Sequence, residues 1–147
     1  MNTETATATP EATNILPSRF GASIGGYMGS SYSVELREGV LTYTTTGLHY
    51  GSPEQTVIHP TDAQWREFRQ TLDTLNVWRW VSDYPNPGVC DGSFWSFDIT
   101  YSDRALAAHG DNNYPTARGK PNDRPDPTKT FNRFLQAIQK LVGREFE

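Results

Sequence analysis

The chain has 147 residues, enough for one domain with its own core. Its 13 basic and 17 acidic residues leave a net charge of −4, and no Lys/Arg cluster lies along a predicted strand or helix, which argues against a nucleic-acid partner. A single cysteine, no bilayer-length apolar run and no secretory signal together predict a cytoplasmic protein without a membrane partner.

Two stretches lack the apolar content that would offset the entropy of ordering. Residues 1–14 are predicted to be a disordered tail, and residues 110–127 are predicted to be a long mobile loop. The rest of the chain indicates a single domain over residues 15–143, followed by a C-terminal tail at 144–147.

The first predicted elements are strands. Apolar residues alternate in RFGASIGG, which predicts a strand. The next stretch, SYSVELREGVLTYTTT, alternates on both sides of Glu38 and Gly39, which is typical of a hairpin with a two-residue turn. That turn places Val34 opposite Tyr43, and we expect the preceding strand to pair with this hairpin.

A helix is predicted in HPTDAQWREFRQTLDTL. Thr61 and Gln64 have the spacing of a capping box. The apolar residues that follow recur at helical spacing: Trp65, Phe68, Leu72 and Leu75. Further along, Trp78 and Trp80 in VWRWVSDYP fall on one side of an extended segment, where they either close the core or form an aromatic platform for a ligand.

A second hairpin is predicted in SFWSFDITYSDRALAAHG, with the turn at Ser102 and Asp103. Its apolar face carries Trp95, Phe97, Ile99, Tyr101, Leu106 and Ala108. On the other face the register places Ser96 opposite His109, with Asp98 one diagonal step away.

The last element, DPTKTFNRFLQAIQKLVG, is a predicted helix with a continuous apolar stripe. Asp126 suits the N-cap, Pro127 the first helical position, and Gly143 the C-terminal end. Burial of each large apolar side chain contributes about 1.5–3 kcal/mol. This helix must therefore pack against other elements.

Helices and strands with one apolar face each predict an α+β fold, a two-layer sandwich. We expect an antiparallel sheet of about five strands, built from a ββα unit that occurs twice after an N-terminal strand. Both helices would cover one face of the sheet and leave the other open to water.

The pieces YSVELREGVLTY, LDTLNVWRW, YPNPGVCDGSFWSFDITY and NRFLQAIQKLVG span most of residues 32–143. Their order of hairpin, capped helix, hairpin and helix resembles that of small bacterial domains whose function is uncharacterised. The resemblance is architectural, so it implies a fold but no activity, and it assigns no site residue.

Several motifs have a structural explanation. The glycine spacing of GASIGGYMG is not that of a phosphate-binding loop, and no helix follows it. Cys90 lies next to Asp91, whose carboxylate raises a thiol pKa and so disfavours a nucleophile. Asp83, Asp91 and Asp111 are candidate calcium ligands, but they lack EF-hand spacing, and turn chemistry explains acidic residues in loops.

The open sheet face is the predicted functional surface. Its candidate ligand contacts are Phe94, Ser96, Asp111 and Tyr114. We expect a binding domain without a cofactor, whose partner is another protein or a small ligand. The alternative is a small hydrolase in which Asp98 orients His109 as a general base, although a sandwich of this size has little depth for a catalytic pocket.

Overall fold

The computed structural model describes residues 15–26, 30–47, 52–86, 93–124 and 126–147. The N-terminal segment 1–14 lies outside the described residues, as do Cys90 and Asp91. The predictions made for those positions therefore have no structural test.

The described residues form one sheet and two helices. The strands are β1 (Arg19–Gly26), β2 (Ser31–Arg37), β3 (Val40–Thr46), β4 (Glu54–Ile58), β5 (Asp83–Tyr84), β6 (Ser93–Thr100) and β7 (Ala105–Asp111). The helices are α1 (Asp62–Leu75), which a short 3₁₀ helix (Val77–Arg79) follows, and α2 (Lys129–Val142). The strand order is β4-β3-β2-β1-β6-β7-β5, so β1 is central.

The α+β class is confirmed, but the details of the predicted sheet are wrong. The sheet has seven strands and is mixed, because β5 pairs with β7 in parallel. The ββα repeat fails because β4 lies between the first hairpin and α1. Both additional strands lack a clear sequence signal: β4 has no buried residue, and β5 has only two residues.

Both predicted hairpin registers are confirmed. Glu38 and Gly39 form the first turn with φ values of 54° and 78°, the positive φ that a type I′ turn needs at both positions. Val34 pairs with Tyr43 as expected, and β1 adds to this hairpin through β2. In the second hairpin Ser96 lies opposite His109.

The capping box of α1 is confirmed, since the Thr61 side chain and Gln64 bond reciprocally. The predicted start of α2 is wrong. Thr128 is its N-cap, because its hydroxyl accepts a hydrogen bond from the Phe131 amide at 3.0 Å. Asp126 and Pro127 therefore precede the helix, while Gly143 ends it at a φ of 70° as predicted.

Aromatic rings join the two layers of the sandwich. Phe97 on β6 packs against Phe134 on α2 with ring centroids 4.5 Å apart. Trp95 contacts Phe131 in the same way at 5.0 Å. The core therefore lies between the helices and one face of the sheet, as the apolar alternation of the second hairpin predicts.

The two tryptophans after α1 do not share an extended segment. Trp78 lies in the 3₁₀ helix, half-buried, and its indole N–H donates to Asp73 at 2.9 Å. Trp80 is buried and packs against Phe134 with centroids 5.2 Å apart. The core interpretation is confirmed for Trp80.

The connection from β7 to α2 begins at Asn112, because Gly110 and Asp111 belong to β7. Two buried hydrogen bonds hold this connection against the sheet. The Trp95 indole donates to the Asn113 carbonyl at 2.8 Å, and the Tyr84 hydroxyl donates to the Gly119 carbonyl. At the C-terminus Phe146 is fully buried, so the core extends into the final residues.

Candidate functional site: the open face of the sheet

The central strand separates large and small residues by face. Phe20 and Ala22 point into the core and are buried. The residues of β1 that point the other way occupy the open face, and they are Gly21, Ser23 and Gly25. The middle of the open face therefore has almost no side-chain bulk.

One polar row crosses the sheet at right angles to the strands. The registers align one residue from each strand in the order Gln55, Thr44, Ser33, Ser23, Ser96, His109 and Asp83. The hydroxyl oxygens of Ser23 and Ser96 are hydrogen-bonded at 2.7 Å. At the β5 edge His109 Nδ1 lies 3.4 Å from Asp83 Oδ1.

The small residues leave a trough along the centre of the face. A groove of about 440 Å³ lies over β1, β2 and the facing part of β6. Two further concavities of about 360 and 270 Å³ adjoin it. Ser33 lines all three, which makes them one continuous surface.

Charged residues mark one end of the trough. The Arg37 guanidinium donates to Glu35 at 2.8 Å, and this hydrogen bond is the main cause of the raised pKa of Arg37. Arg19 lies 3.9 Å from the Asp98 carboxylate. All four side chains are substantially exposed, so these ion pairs contribute little to stability and remain accessible to a partner.

The predicted catalytic pair has different partners in the structure. Asp98 is opposite Ala107 and beside Arg19, whereas the carboxylate nearest to His109 is that of Asp83. Asp83 was not predicted beside His109, because its position depends on the parallel pairing of β5 with β7.

The candidate ligand contacts divide between surface and core. Phe94 is 52% exposed and lines the concavity at the end of the trough remote from Arg37, and Ser96 lines the main groove. Asp111 is half-buried on β7. Tyr114 is buried against Phe131, with ring centroids 4.8 Å apart, and this burial raises the pKa of its hydroxyl. Its ring therefore belongs to the core.

The acidic residues of the described segments do not assemble around one point. Within those segments no three His, Cys, Asp or Glu side chains are grouped in a way that suits a metal ion. The carboxylate of Asp111 instead accepts a hydrogen bond from the side-chain amide of Asn112 at 3.3 Å.

The sequence pattern did not single out Gly21, which lines the trough. A Cβ atom added there would meet its nearest neighbours, Asp98 Oδ2 and the Val34 carbonyl oxygen, at the ordinary distances of 3.8 and 3.9 Å. At Gly25 the same atom would lie only 2.7 Å from Ser31 Cβ. The polar positions of RFGASIGG do read Gly, Ser, Gly, but only the structure shows that the fold has room for a side chain at Gly21.

Comparison with protein-family models and with curated proteins finds no match. In the part of the chain that the structure describes, no helix is long and apolar enough to cross a membrane. The geometry of the open face is therefore the basis for a functional proposal, and the architectural resemblance to small bacterial domains stays an expectation.

Proposed function

We propose that this chain is a binding domain whose open sheet face receives an extended segment of another protein. The observation that carries the proposal is the presence of a glycine, Gly21, in the interior of the central strand. Glycine in the interior of a strand destabilises by roughly 0.5–1 kcal/mol relative to alanine, and it often marks a place where a ligand approaches the backbone closely. The fold leaves room for a side chain at this position, so the bare backbone supports a role in binding.

The shape and chemistry of the trough favour a polypeptide over a small molecule. Small-molecule sites enclose most of their ligand within mainly apolar walls. This trough is open, and its floor is glycine, serine and threonine, with the carboxylates of Glu35 and Asp98 on either side of Gly21. Hydroxyl groups and backbone suit the alternating polar groups of a peptide chain.

The length of the trough sets the size of the bound segment. From Arg19 to Gly25 the central strand rises roughly 3.3 Å per residue, about 20 Å in all, which matches six or seven extended residues. At one end the ion pairs of Arg19 with Asp98 and of Arg37 with Glu35 suit polar or charged side chains, because both guanidinium and carboxylate groups are exposed there. Phe94 at the other end suits an apolar one.

A peptide library displayed on phage and selected against the wild-type chain tests the proposal. We expect selected peptides to lose at least about tenfold in affinity for Gly21→Thr, a loss of about 1.4 kcal/mol, because the new side chain fills the trough. Ala105→Thr is the matched control, since it adds the same side chain to an exposed position on the same face that does not line the trough.

The control should keep wild-type affinity within about twofold. Peptides that bind Gly21→Thr as tightly as wild type would contradict the proposal, as would peptides that shift the backbone amide resonances of α1 and α2 instead of β1, β2 and β6. Thermal melts of both variants establish that any loss of binding is not a loss of folding.

A hydrolase is the second candidate. One observation favours it, since Ser96, His109 and Asp83 lie side by side in the polar row and have the side chains of a nucleophile, a base and an orienting acid. The Ser96 hydroxyl, however, is bonded to Ser23, so we expect no covalent labelling by a fluorophosphonate probe. Labelling that Ser96→Ala and His109→Ala each abolish would select the hydrolase.

A further inference from the structure

The outer face of α2 carries positive charge without compensation on the same helix. Its sequence, KTFNRFLQAIQKLV, contains no acidic residue. Lys129, Arg133, Gln136 and Lys140 are exposed and recur at intervals of four, three and four residues. They form one stripe opposite the buried apolar face, about 16 Å long at 1.5 Å per residue.

The neighbouring helix shows how cations are otherwise accommodated in this molecule. On α1, Arg69 donates to Asp73 at 3.0 Å and to Asp103 at 2.8 Å, and its side chain is only 12% exposed. On α2, Lys140 donates to Glu67 of α1 at 2.8 Å. Among the described residues, neither Lys129 nor Arg133 has a carboxylate within ion-pair distance.

A concave surface lies beside this stripe. A groove of about 530 Å³ is lined by Thr71 of α1 and by Arg133, Gln136, Ala137, Gln139 and Lys140 of α2. Ala137 is small and buried, so it leaves space between the two helices. Ala137 thus forms the floor of the groove, and basic and amide side chains surround it.

We propose that this groove and the stripe beside it dock an acidic segment of a partner protein, with carboxylates on Lys129, Arg133 and Lys140 and amide hydrogen bonds from Gln136. Charge complementarity supports this occupant. A nucleic acid fits less well, because phosphate-backbone binding draws on many cations and this stripe carries three. Since α2 and the open sheet face lie on opposite sides of the sheet, the two surfaces can bind different partners at the same time.

Fluorescein-labelled poly-L-glutamate is the probe, and the measurement is fluorescence anisotropy at about 0.1 M salt, where charges more than about 10 Å apart are largely screened. We expect binding to the wild-type chain that weakens at least about tenfold in the double variant Lys129→Glu/Arg133→Glu, because two attractive charges become repulsive. The double variant Arg118→Glu/Lys120→Glu changes the net charge by the same amount at two exposed positions that line neither this groove nor the trough, and we expect it to bind within about twofold of wild type.

A gain of affinity sharpens the test. Glu67 is the carboxylate that pairs with Lys140, so Glu67→Gln should release that cation and tighten binding about two- to threefold, the range of an exposed ion pair. The proposal is overturned by absence of binding, by equal losses in the two double variants, by no gain in Glu67→Gln, or by tighter binding of a 20-base-pair DNA duplex than of polyglutamate.

Discussion

The two faces of the sheet differ in how much each side chain contributes to the stability of the fold. On β6, Phe97 is buried among three other aromatic rings, while the adjacent Ser96 is exposed and shares one hydrogen bond. On β1 the same contrast separates Phe20 from Gly21. A strand in such a sandwich is stabilised mainly through one face, which leaves the residues of the other face free to serve binding.

The largest expected effect comes from a comparison of two adjacent residues of β6, one on each face of the sheet. Phe97→Ala should lower the free energy of unfolding by about 3–5 kcal/mol, because it opens a cavity between the sheet and α2. Ser96→Ala should stay within about 0.5 kcal/mol of wild type, as is usual for surface substitutions. Urea denaturation monitored by tryptophan fluorescence measures both.

Similar losses for the two variants would show that the open face also holds the fold together. A loss above about 2 kcal/mol for Ser96→Ala alone would have the same meaning, because it exceeds the usual range for an exposed hydroxyl.

Two glycines give the next test, with opposite signs. A Cβ at Gly110, on the core face of β7, would lie 2.6 Å from the Asn113 carbonyl oxygen and would collide with the Trp95 indole. Gly110→Ala should therefore destabilise the fold by about 1–3 kcal/mol through overpacking. Gly21→Ala, on the open face, should stabilise it by up to about 1 kcal/mol.

Thermal unfolding of the two variants under identical conditions provides the measurement. If Gly21→Ala destabilises the fold as much as Gly110→Ala, the glycine at position 21 has a structural explanation, and the binding proposal loses its main support.

The smallest expected effect is a loss of folding stability at alkaline pH. Burial raises the pKa of the Tyr84 hydroxyl to about 12, above its ordinary value of 10.0. The folded state therefore favours the protonated form, so the stability that Tyr84 contributes is complete below pH 10 and is lost as the pH rises toward 12. Tyr84→Phe should reduce this alkaline loss, although it removes hydrogen bonds worth about 1 kcal/mol at neutral pH.

Unfolding free energies measured between pH 8 and pH 11.5 compare the two chains. Parallel pH dependence in wild type and Tyr84→Phe would mean that other buried tyrosines, such as Tyr101, whose pKa burial also raises, account for the whole effect.

The core and the hairpin registers were predictable from sequence because period-two alternation of large apolar residues leaves one solution. A one-residue slip around Glu38 and Gly39 would expose Val34 and Tyr43, which the structure buries. The capping box of α1 was predictable for a similar reason, since its two side chains satisfy backbone groups within four residues.

The features that the sequence did not predict depend on contacts between segments that are far apart along the chain. The edge strand β4 has no buried residue, although Ile58 packs in part against the core, so the strand lacks a clear apolar pattern. The Asp83–His109 pair needs the parallel contact of β5 with β7, which two residues of sequence do not indicate. Thr128 replaces Asp126 as the N-cap because its hydroxyl also donates to the Pro115 carbonyl, a tertiary contact.

The central position of β1 has a consequence for the way this chain folds. β1 pairs with β2 a few residues further on, but its other neighbour is β6, and Ser23 meets Ser96 across 73 residues of chain. During synthesis the first hairpin and β1 emerge long before β6, so β1 is an unpaired edge at that stage. Closure of the sheet is thus a long-range step that slows folding, and the trough takes its final form only when the second hairpin joins the first.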